Sequence, residues 1–525
     1  MVVPDLRPWR VARPRLVRAA NAVRPRLARV AAAAKPRFTR SARPTKPQVT
    51  RVKTWQFTAG AATAGLALAV GAVTAAGPWD STGQRTAERE RAVAQQHTGG
   101  ASHGRGSGTT SAAPRPAPSA PSVLTGLGGS TPVGESAPGA RPLAAVLGPL
   151  LKDPALGERQ AAAVVDLATG MPVYGTAAGE ALIPASTTKI ATAVAALSAL
   201  GPDHRLTTRA AFEPDTGELV LVGGGDPTLT AREPAGGWAD LRTLADRTAK
   251  KLAERGVREV TLSYDTTLYA GPERHPIGEN DNLAPVTALM IDEARTDGST
   301  SGTAGRSTEP AADATRAFAD ILKTHGIRTS SPGPSKATTR AQTLASVSSP
   351  PLATLVERML TNSDNDIAEA LVRHTALATG RRADFDGAGR AVHAQLKKLG
   401  LPVKGAVFKD GSGLSREDRL TTGLLTALLA EAADPDRPEL RPALTGLPVA
   451  GFTGTLTSRY ADGAAGLVRA KTGTLTGVNA LAGTVVDRDG RLLAFAFLAS
   501  GTLEKDAAQT ALDRAATALA NCGCG

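Results

Sequence analysis

Ser186-Thr187-Thr188-Lys189 sets a hydroxyl and an amine three residues apart. On a helix that spacing brings both side chains to one face, so a neutral lysine can take the serine proton. The start of a helix also offers free backbone N–H groups and a positive dipole end to a developing oxyanion. Read alone, the same residues fit an N-capping serine followed by a surface lysine. Ser363-Asp364-Asn365 offers a hydroxyl and a carboxamide at the entry to a helix, or simply a cap. Lys471-Thr472-Gly473 falls in a strand-like stretch, where a cation and a hydroxyl suit a carboxylate and a glycine leaves room for a substrate backbone. Alone it reads as a strand end running into a turn. Ser-x-x-Lys, Ser-x-Asn and Lys-Thr-Gly each occur once, in that order, on a helix, a helix-entry loop and a strand.

Those motifs need elements to hold them. Ser186 to Leu200 has the apolar run and helix formers of a buried helix. Gln160 to Asp166 reads as a strand, Leu167 to Met171 as a turn and Pro172 to Tyr174 as a short partner strand. Leu219 to Val222 and Glu259 to Ser263 are strand-like and Trp238 to Arg255 is an amphipathic helix, so 209–351 is a folded α/β block. Leu352 to Met359 and Asp366 to Leu377 are helical; Leu467 to Lys471, Ala480 to Val486 and Arg491 to Ala499 alternate like antiparallel strands; Lys505 to Leu519 closes as a helix.

The chain of 525 residues is longer than one typical domain. Its net charge of +13 is unevenly placed: Met1 to Lys53 hold 15 Lys/Arg against one acid, Asp5, which leaves 472 residues at −1. A nucleic-acid binder carries its basic surface on the folded domain, and here it lies on a tail. Within that tail Arg13-Pro14-Arg15-Leu16, Arg24-Pro25-Arg26-Leu27 and Lys35-Pro36-Arg37-Phe38 recur at intervals of 11. They fit either attraction to anionic headgroups or an unstructured topology signal. Thr54 to Trp79 carry no charge, and 26 residues at helical rise span about 39 Å, enough for one transmembrane helix. Trp55 and Trp79 bracket the segment, and the Arg/Lys-rich side stays cytoplasmic, which exports the chain beyond Trp79. Residues 80–141, rich in Ser, Thr, Gly, Pro and Ala, read as a disordered linker. The cysteines are Cys522 and Cys524 alone, which suits an exposed, frayed terminus and excludes a disulfide framework.

With its three motifs the sequence resembles the penicillin-recognising serine enzymes, and more narrowly the D-alanyl-D-alanine carboxypeptidase/endopeptidase branch of the low-molecular-mass penicillin-binding proteins. The two motif serines stand 177 positions apart (363 minus 186), and this branch carries inserted domains at that place. Gly223-Gly224-Gly225-Asp226-Pro227-Thr228-Leu229, Asp410-Gly411-Ser412-Gly413-Leu414-Ser415-Arg416 and Phe452-Thr453-Gly454-Thr455-Leu456 also look familial. Glu273 to Leu283 lacks the aromatic residues of the branch, and Gly302 to Glu309 resembles no part of it.

The resemblance implies an α/β (α+β) transpeptidase-like catalytic domain over 142–208 and 352–525, split by an insertion over 209–351 and carried behind a basic cytoplasmic tail (1–53), an anchor (54–79) and a linker (80–141). It implies Ser186 as the acylated nucleophile, Lys189 as its base and Ser363 as a proton shuttle to the leaving amine. Asn365 would hold the substrate peptide, and Lys471, Thr472, Gly473 and Thr474 would line the strand that receives the terminal carboxylate. The backbone amides of Ser186 and Thr474 would form the oxyanion hole. Peptidoglycan peptides as substrates, β-lactams as covalent inhibitors, contact with the membrane and no metal or organic cofactor are implied by the same likeness.

A β-lactamase shares this acylation chemistry, but no motif here sets a glutamate for fast deacylation. A catalytically silent wall-binding or antibiotic-sensing descendant need not keep Ser186, Lys189 and Lys471 together. Gly100-Ala101-Ser102-His103-Gly104 matches a nucleophile elbow but lies in the linker with no strand before it or helix after it. No His-Glu-x-x-His occurs, and the seven histidines are scattered.

Overall fold

The computed structural model describes residues 143–460 and 463–523. The basic tail, the anchor, the linker and Cys524 lie outside the described residues. Among the described residues no helix is long and apolar enough to cross a membrane.

The chain enters on α1 (Leu143–Leu151) and builds β1 (Arg159–Asp166) and β2 (Pro172–Thr176). These join β8 (Val468–Leu475), β9 (Val478–Val486) and β10 (Leu492–Ser500) in one antiparallel sheet of order β2-β1-β10-β9-β8. Both faces of the central strands are covered, so β9 and β10 read as almost unbroken apolar runs. Alternate residues part by size. Ala480, Ala482, Ala494 and Ala496 face one core, which lets α2 (Thr188–Leu200) and α8 (Thr422–Ala433) approach closely. Leu481, Val485, Phe495 and Phe497 face the other, against α1 and the closing helix α10 (Lys505–Ala520). Each of these large side chains contributes about 1.5–3 kcal/mol by burial.

Helices α5 (Leu352–Asn362), α6 (Asn365–Ala378) and α7 (Phe385–Lys398) complete the first core. The short α9 (Pro442–Thr445) adds Ala443 to the same core.

Between α2 and α5 the insertion forms a second sheet of order β6-β5-β4-β3-β7. Its strands are β3 (Thr207–Glu213), β4 (Glu218–Val222), β5 (Glu259–Asp265), β6 (Arg328–Pro334) and β7 (Gln342–Ser348). Two crossovers, through α3 (Leu241–Glu254) and α4 (Pro310–Thr324), make β4, β5 and β6 parallel. Asp240 caps α3 by accepting from the Arg242 and Thr243 amides, and Pro310 opens α4 where no N–H is needed. Leu219, Leu221, Leu244 and Phe318 fill the core that both helices share with the sheet.

Residues 266–309, the part of the second crossover that precedes α4, lie outside the sheet. They return to the catalytic helices, where Tyr269, Leu283, Val286 and Ala288 pack with Ala383 and Phe385. His374 on α6 is buried beside Tyr269, while His393 sits on α7.

Three expectations change. The helix expected from Ser186 begins at Thr188, after a tight 3-10 turn over Ala185–Thr187, so the nucleophile candidate lies one turn ahead of the α-helix. The helix expected from Trp238 begins at Leu241, because Asp240 caps it; Trp238 instead lies under the Arg358 guanidinium, 5.0 Å from the ring centre. Cys522 is buried against the second core and disulfide-bonded, in contrast to a frayed, exposed end.

Candidate active site

Ser186 sits in the turn that leads into α2, just after Ala185, whose φ of 46° is left-handed for a residue that bears a Cβ. Such strain persists only where neighbours impose it. Two of them do. A Cβ on Gly413 would stand 2.0 Å from the Ala185 carbonyl oxygen. A Cβ on Gly473 would stand 2.7 Å from the Pro184 oxygen and 3.2 Å from Ala185 Cβ. The glycine of Lys-Thr-Gly therefore lets β8 press against the nucleophile turn; this is a different reason from room for a substrate backbone.

Lys189 is fully buried, and its Nζ donates at 2.6 Å to Asn365 Oδ1 and at 2.6 Å to the Ser412 carbonyl. The third direction points at Ser186 Oγ, 3.2 Å away. Burial lowers the lysine from its ordinary value to about 8, against the opposing pull of Asp410, Asp364, Glu369 and Asp366.

The Ser363 motif is built by a change of helix. Helix α5 ends at Asn362, Ser363 turns left-handed at φ 58° and ψ 39°, and Asp364 caps α6 through the Ile367 amide. Asn365, the first residue of α6, stretches its amide between Lys189 and the Asn282 carbonyl, which accepts from Nδ2 at 2.8 Å. Opposite, Lys471 is also fully buried and donates at 2.9 Å to Ser363 Oγ and at 2.8 Å to the Thr472 carbonyl. Burial, and then the positive charge of Lys189, push Lys471 well below its ordinary value. Thr472 donates to Thr455 Oγ1 at 2.9 Å, and Gln509 reaches Thr474 Oγ1 at 3.3 Å.

One cleft is lined by Ser186, Ser363, Asn365, Thr472 and Thr474 together. Lys189, Lys471 and Gly473 lie buried behind its walls.

The model of the D-Ala-D-Ala carboxypeptidase 3 (S13) family matches residues 143–305 and 294–522, nearly all of the described chain. The chain belongs to that family. A carboxypeptidase of Mycobacterium tuberculosis is 38% identical over 427 residues, covering 78% of this chain and 90% of its own length. A D-alanyl-D-alanine carboxypeptidase of an Actinomadura species is 31% identical over 494 residues, covering 76% and 88%. The crystal structure of penicillin-binding protein 4 from Haemophilus influenzae, 22% identical, covers 71% of this chain and 97% of its own, with a TM-score of 0.58, so the two share a fold.

Several contributors carry no side-chain signal in the sequence. The Ser412 and Asn282 carbonyls are backbone groups, and of the wall formed by Ser301, Gly302 and Thr303 the last two come from the stretch that resembles nothing familial. That wall is strapped down by arginines: Arg232 donates to the Ser299 carbonyl at 2.9 Å and Arg358 to the Thr300 carbonyl at 2.6 Å.

Two buried clusters bring three ligand-type oxygen or nitrogen atoms within 4.8 Å of one another: Glu293, Asp364 and Asp366, and His275, Glu369 and Asp410. Their counter-charges come from the protein. Arg295 pairs with Glu293 at 2.7 Å and Arg306 with Asp366 at 3.1 Å, while Arg373 lies 3.6 Å from Glu369. Burial, and then the charge of neighbouring Glu293, hold Asp364 well above the usual carboxylate range. Neither cluster is assigned as a metal centre.

Proposed function

We propose that the protein is a serine D-Ala-D-Ala carboxypeptidase that acts on peptidoglycan stem peptides through an acyl-enzyme on Ser186. The observation that carries this reading is the aim of Lys189: two fixed acceptors take two of its N–H bonds, and the remaining position faces Ser186 Oγ at 3.2 Å. In the neutral amine that position is a lone pair, and burial brings the neutral form within reach near physiological pH.

Ser186 Oγ then attacks the carbonyl carbon of the penultimate D-alanine as its proton passes to Lys189. The backbone N–H groups of Ser186 and Thr474 receive the oxyanion. The C–N bond breaks, and the leaving amine takes a proton through the Ser363 hydroxyl, which already accepts from Lys471. The carboxylate of the departing D-alanine suits Lys471 and Thr472, since an anion there offsets the desolvation that holds Lys471 down. Water hydrolyses the ester and frees Ser186. Asn365 can contact the substrate peptide by turning its Nδ2 from the Asn282 carbonyl. The same carboxylate and acyl geometry admits a β-lactam, which acylates Ser186 and has no amine to release.

The uncharged stretch 54–79 behind a basic tail supports a single-pass attachment to the cell membrane with the catalytic domain outside, where peptidoglycan lies. The test is the intact mass of the full chain after exposure to benzylpenicillin, beside Ser186→Ala, with release of D-alanine from a pentapeptide measured in parallel. A lasting adduct and D-alanine release that both need Ser186 are expected. Penicillin consumed without a lasting adduct would make the protein a β-lactamase, and no adduct on the folded chain would make it a silent member of the fold.

A further inference from the structure

Lys189 is held by a loop braced by α2 and α6 and, through one buried pair, by the insertion. Gly411 and Ser412 donate their amides at 2.9 and 3.0 Å to Glu369 Oε1 on α6, and Thr192 on α2 donates to the Gly411 carbonyl at 2.7 Å. Asp410 braces the same loop, accepting from the Gly413 amide at 2.6 Å and the Ser415 amide at 2.7 Å. The Ser412 carbonyl, fixed in this way, takes a hydrogen bond from Lys189.

Asp410 is gripped in turn by His275, from the part of the insertion that returns to the catalytic helices. Nε2 of His275 lies 2.9 Å from Asp410 Oδ2, and Nδ1 accepts from the Ile277 amide at 3.2 Å. Those two bonds assign the tautomer: the proton is on Nε2 and is donated to the carboxylate. Both side chains are buried, and Phe385 stands edge-on to the imidazole at 5.1 Å.

We propose that His275 is a positioning residue through which the insertion sets the placement and charge state of Lys189, by way of Asp410 and the Ser412 carbonyl. The inference rests on Lys189 acting as the base of acylation. The groups that face this link are His275 from the insertion, Asp364 at the cap of α6, Asp366, Glu369 and Arg373 from α6, Asp418 from the segment after the loop, Lys471 from β8 and Lys189 from α2. Burial alone would drive Asp410 toward its neutral acid; the hydrogen bond from His275 comes first among the effects that outweigh it, ahead of that ring's charge when it is protonated and of hydrogen bonds from Asp418 and the Gly413 amide, and together they keep the carboxyl below its ordinary value. Its charge is the first of four that support the Lys189 ammonium against burial. Without the His275 donor, Asp410 takes up a proton more readily. Lys189 then loses that support and gives up its own proton at lower pH. The loop also loses a brace, so the Ser412 carbonyl drifts and the maximal rate falls.

The test measures the rate of Ser186 acylation by benzylpenicillin against pH, on the full chain, for the wild type, His275→Leu and His275→Gln. The limb that reports Lys189 lies at about pH 8 in the wild type. It is expected to move acid-ward by about one unit in His275→Leu, with a plateau lower by about tenfold to a hundredfold. Gln presents an amide N–H where Nε2–H stood and is expected to return the limb toward its wild-type position. A folded His275→Leu whose limb is unmoved, or moves to higher pH, overturns the inference even if its melting temperature falls. If His275→Leu does not fold, Asp410→Asn keeps the shape and removes the charge; an acid-ward limb then supports the link and an unmoved one refutes it. A wild-type chain that forms no Ser186 adduct refutes the proposed function itself, whereas normal wild-type acylation with an unmoved variant limb refutes this inference alone.

Discussion

Gly473→Ala should slow acylation about a hundredfold and lower stability by a comparable free energy. An added Cβ stands 2.7 Å from the Pro184 carbonyl oxygen, 3.0 Å from Ala480 Cβ and 3.2 Å from Ala185 Cβ, whereas ordinary contact begins at 3.4 Å. The backbone around Pro184 must therefore retreat by at least about 0.7 Å, the difference of those two distances. Ser186 is carried two residues along the same turn, and its Oγ already lies 3.2 Å from Lys189 Nζ. A further 0.7 Å takes that pair to about 3.9 Å, beyond hydrogen-bond reach. A misplacement of that size lowers acylation by about a hundredfold, while overpacking costs about 1–3 kcal/mol. Stopped-flow acylation with a fluorescent penicillin, read beside a thermal melt, checks both numbers. Gly179→Ala is the control, since nothing lies within 4 Å of its added Cβ and its backbone is not left-handed. Wild-type acylation by a folded Gly473→Ala would refute the account of why this glycine is present.

Two further outcomes concern buried charge. Arg306→Leu leaves Asp366 without its guanidinium partner at 3.1 Å, and should cost about 3–5 kcal/mol at pH 8. Burial, against the pull of Arg306, holds Asp366 at about 6. Below that pH the carboxyl is protonated and needs no partner, so unfolding measured at pH 5 should show a smaller loss. Asp226→Asn should stabilise the fold at neutral pH. Burial raises Asp226 from 3.8 to about 6 although Thr228 donates to it twice, so the folded state holds an anion it disfavours above pH 6. The sign is fixed by that direction: the strain is full above the folded value, shrinks as pH falls through 6, and is gone below the unfolded value. Denaturant melts should give a gain of about 3 kcal/mol at pH 7 that fades toward pH 4.

The candidate reacting side chains are legible because their chemistry is carried by residue type and order. Ser186, Lys189, Ser363, Asn365, Lys471 and Thr472 announce themselves by spacing, and the strands β9 and β10 by unbroken apolar runs. The groups that hold them are much less legible. Lys189 is fastened by the Ser412 carbonyl and Asn365 by the Asn282 carbonyl, and any residue supplies a carbonyl. The Asp410 to Arg416 stretch looks familial in the sequence, yet its use depends on Glu369 and His275, 41 and 135 positions away (410 minus 369, 410 minus 275). The bounds of helix α7 are hard to read by pattern because two glycines, Gly387 and Gly389, interrupt its helix formers. Both sit where backbone crowds in: an added Cβ would meet the Arg382 oxygen at 1.9 Å and the Phe408 oxygen at 2.1 Å. Tertiary packing overrides propensity there.

The insertion also changes meaning once its contacts are traced. From spacing alone it is a block set between two motifs. In the fold, its sheet stands on its own core, while 266–309 reach the catalytic residues through three hydrogen bonds. Asn282 accepts from Asn365, the Ala284 amide donates at 2.9 Å to Asp366, and His275 meets Asp410. Asn365 itself takes a hydrogen bond from Lys189, Asp366 follows it in the chain, and Asp410 braces the loop whose Ser412 carbonyl takes another from Lys189. Backbone and buried carboxylates transmit displacement because neither can be left unpaired without a cost of about 1–3 kcal/mol. The insertion is therefore part of the frame that fixes the catalytic geometry, and a change in 266–309 should register in acylation before it registers in the second sheet.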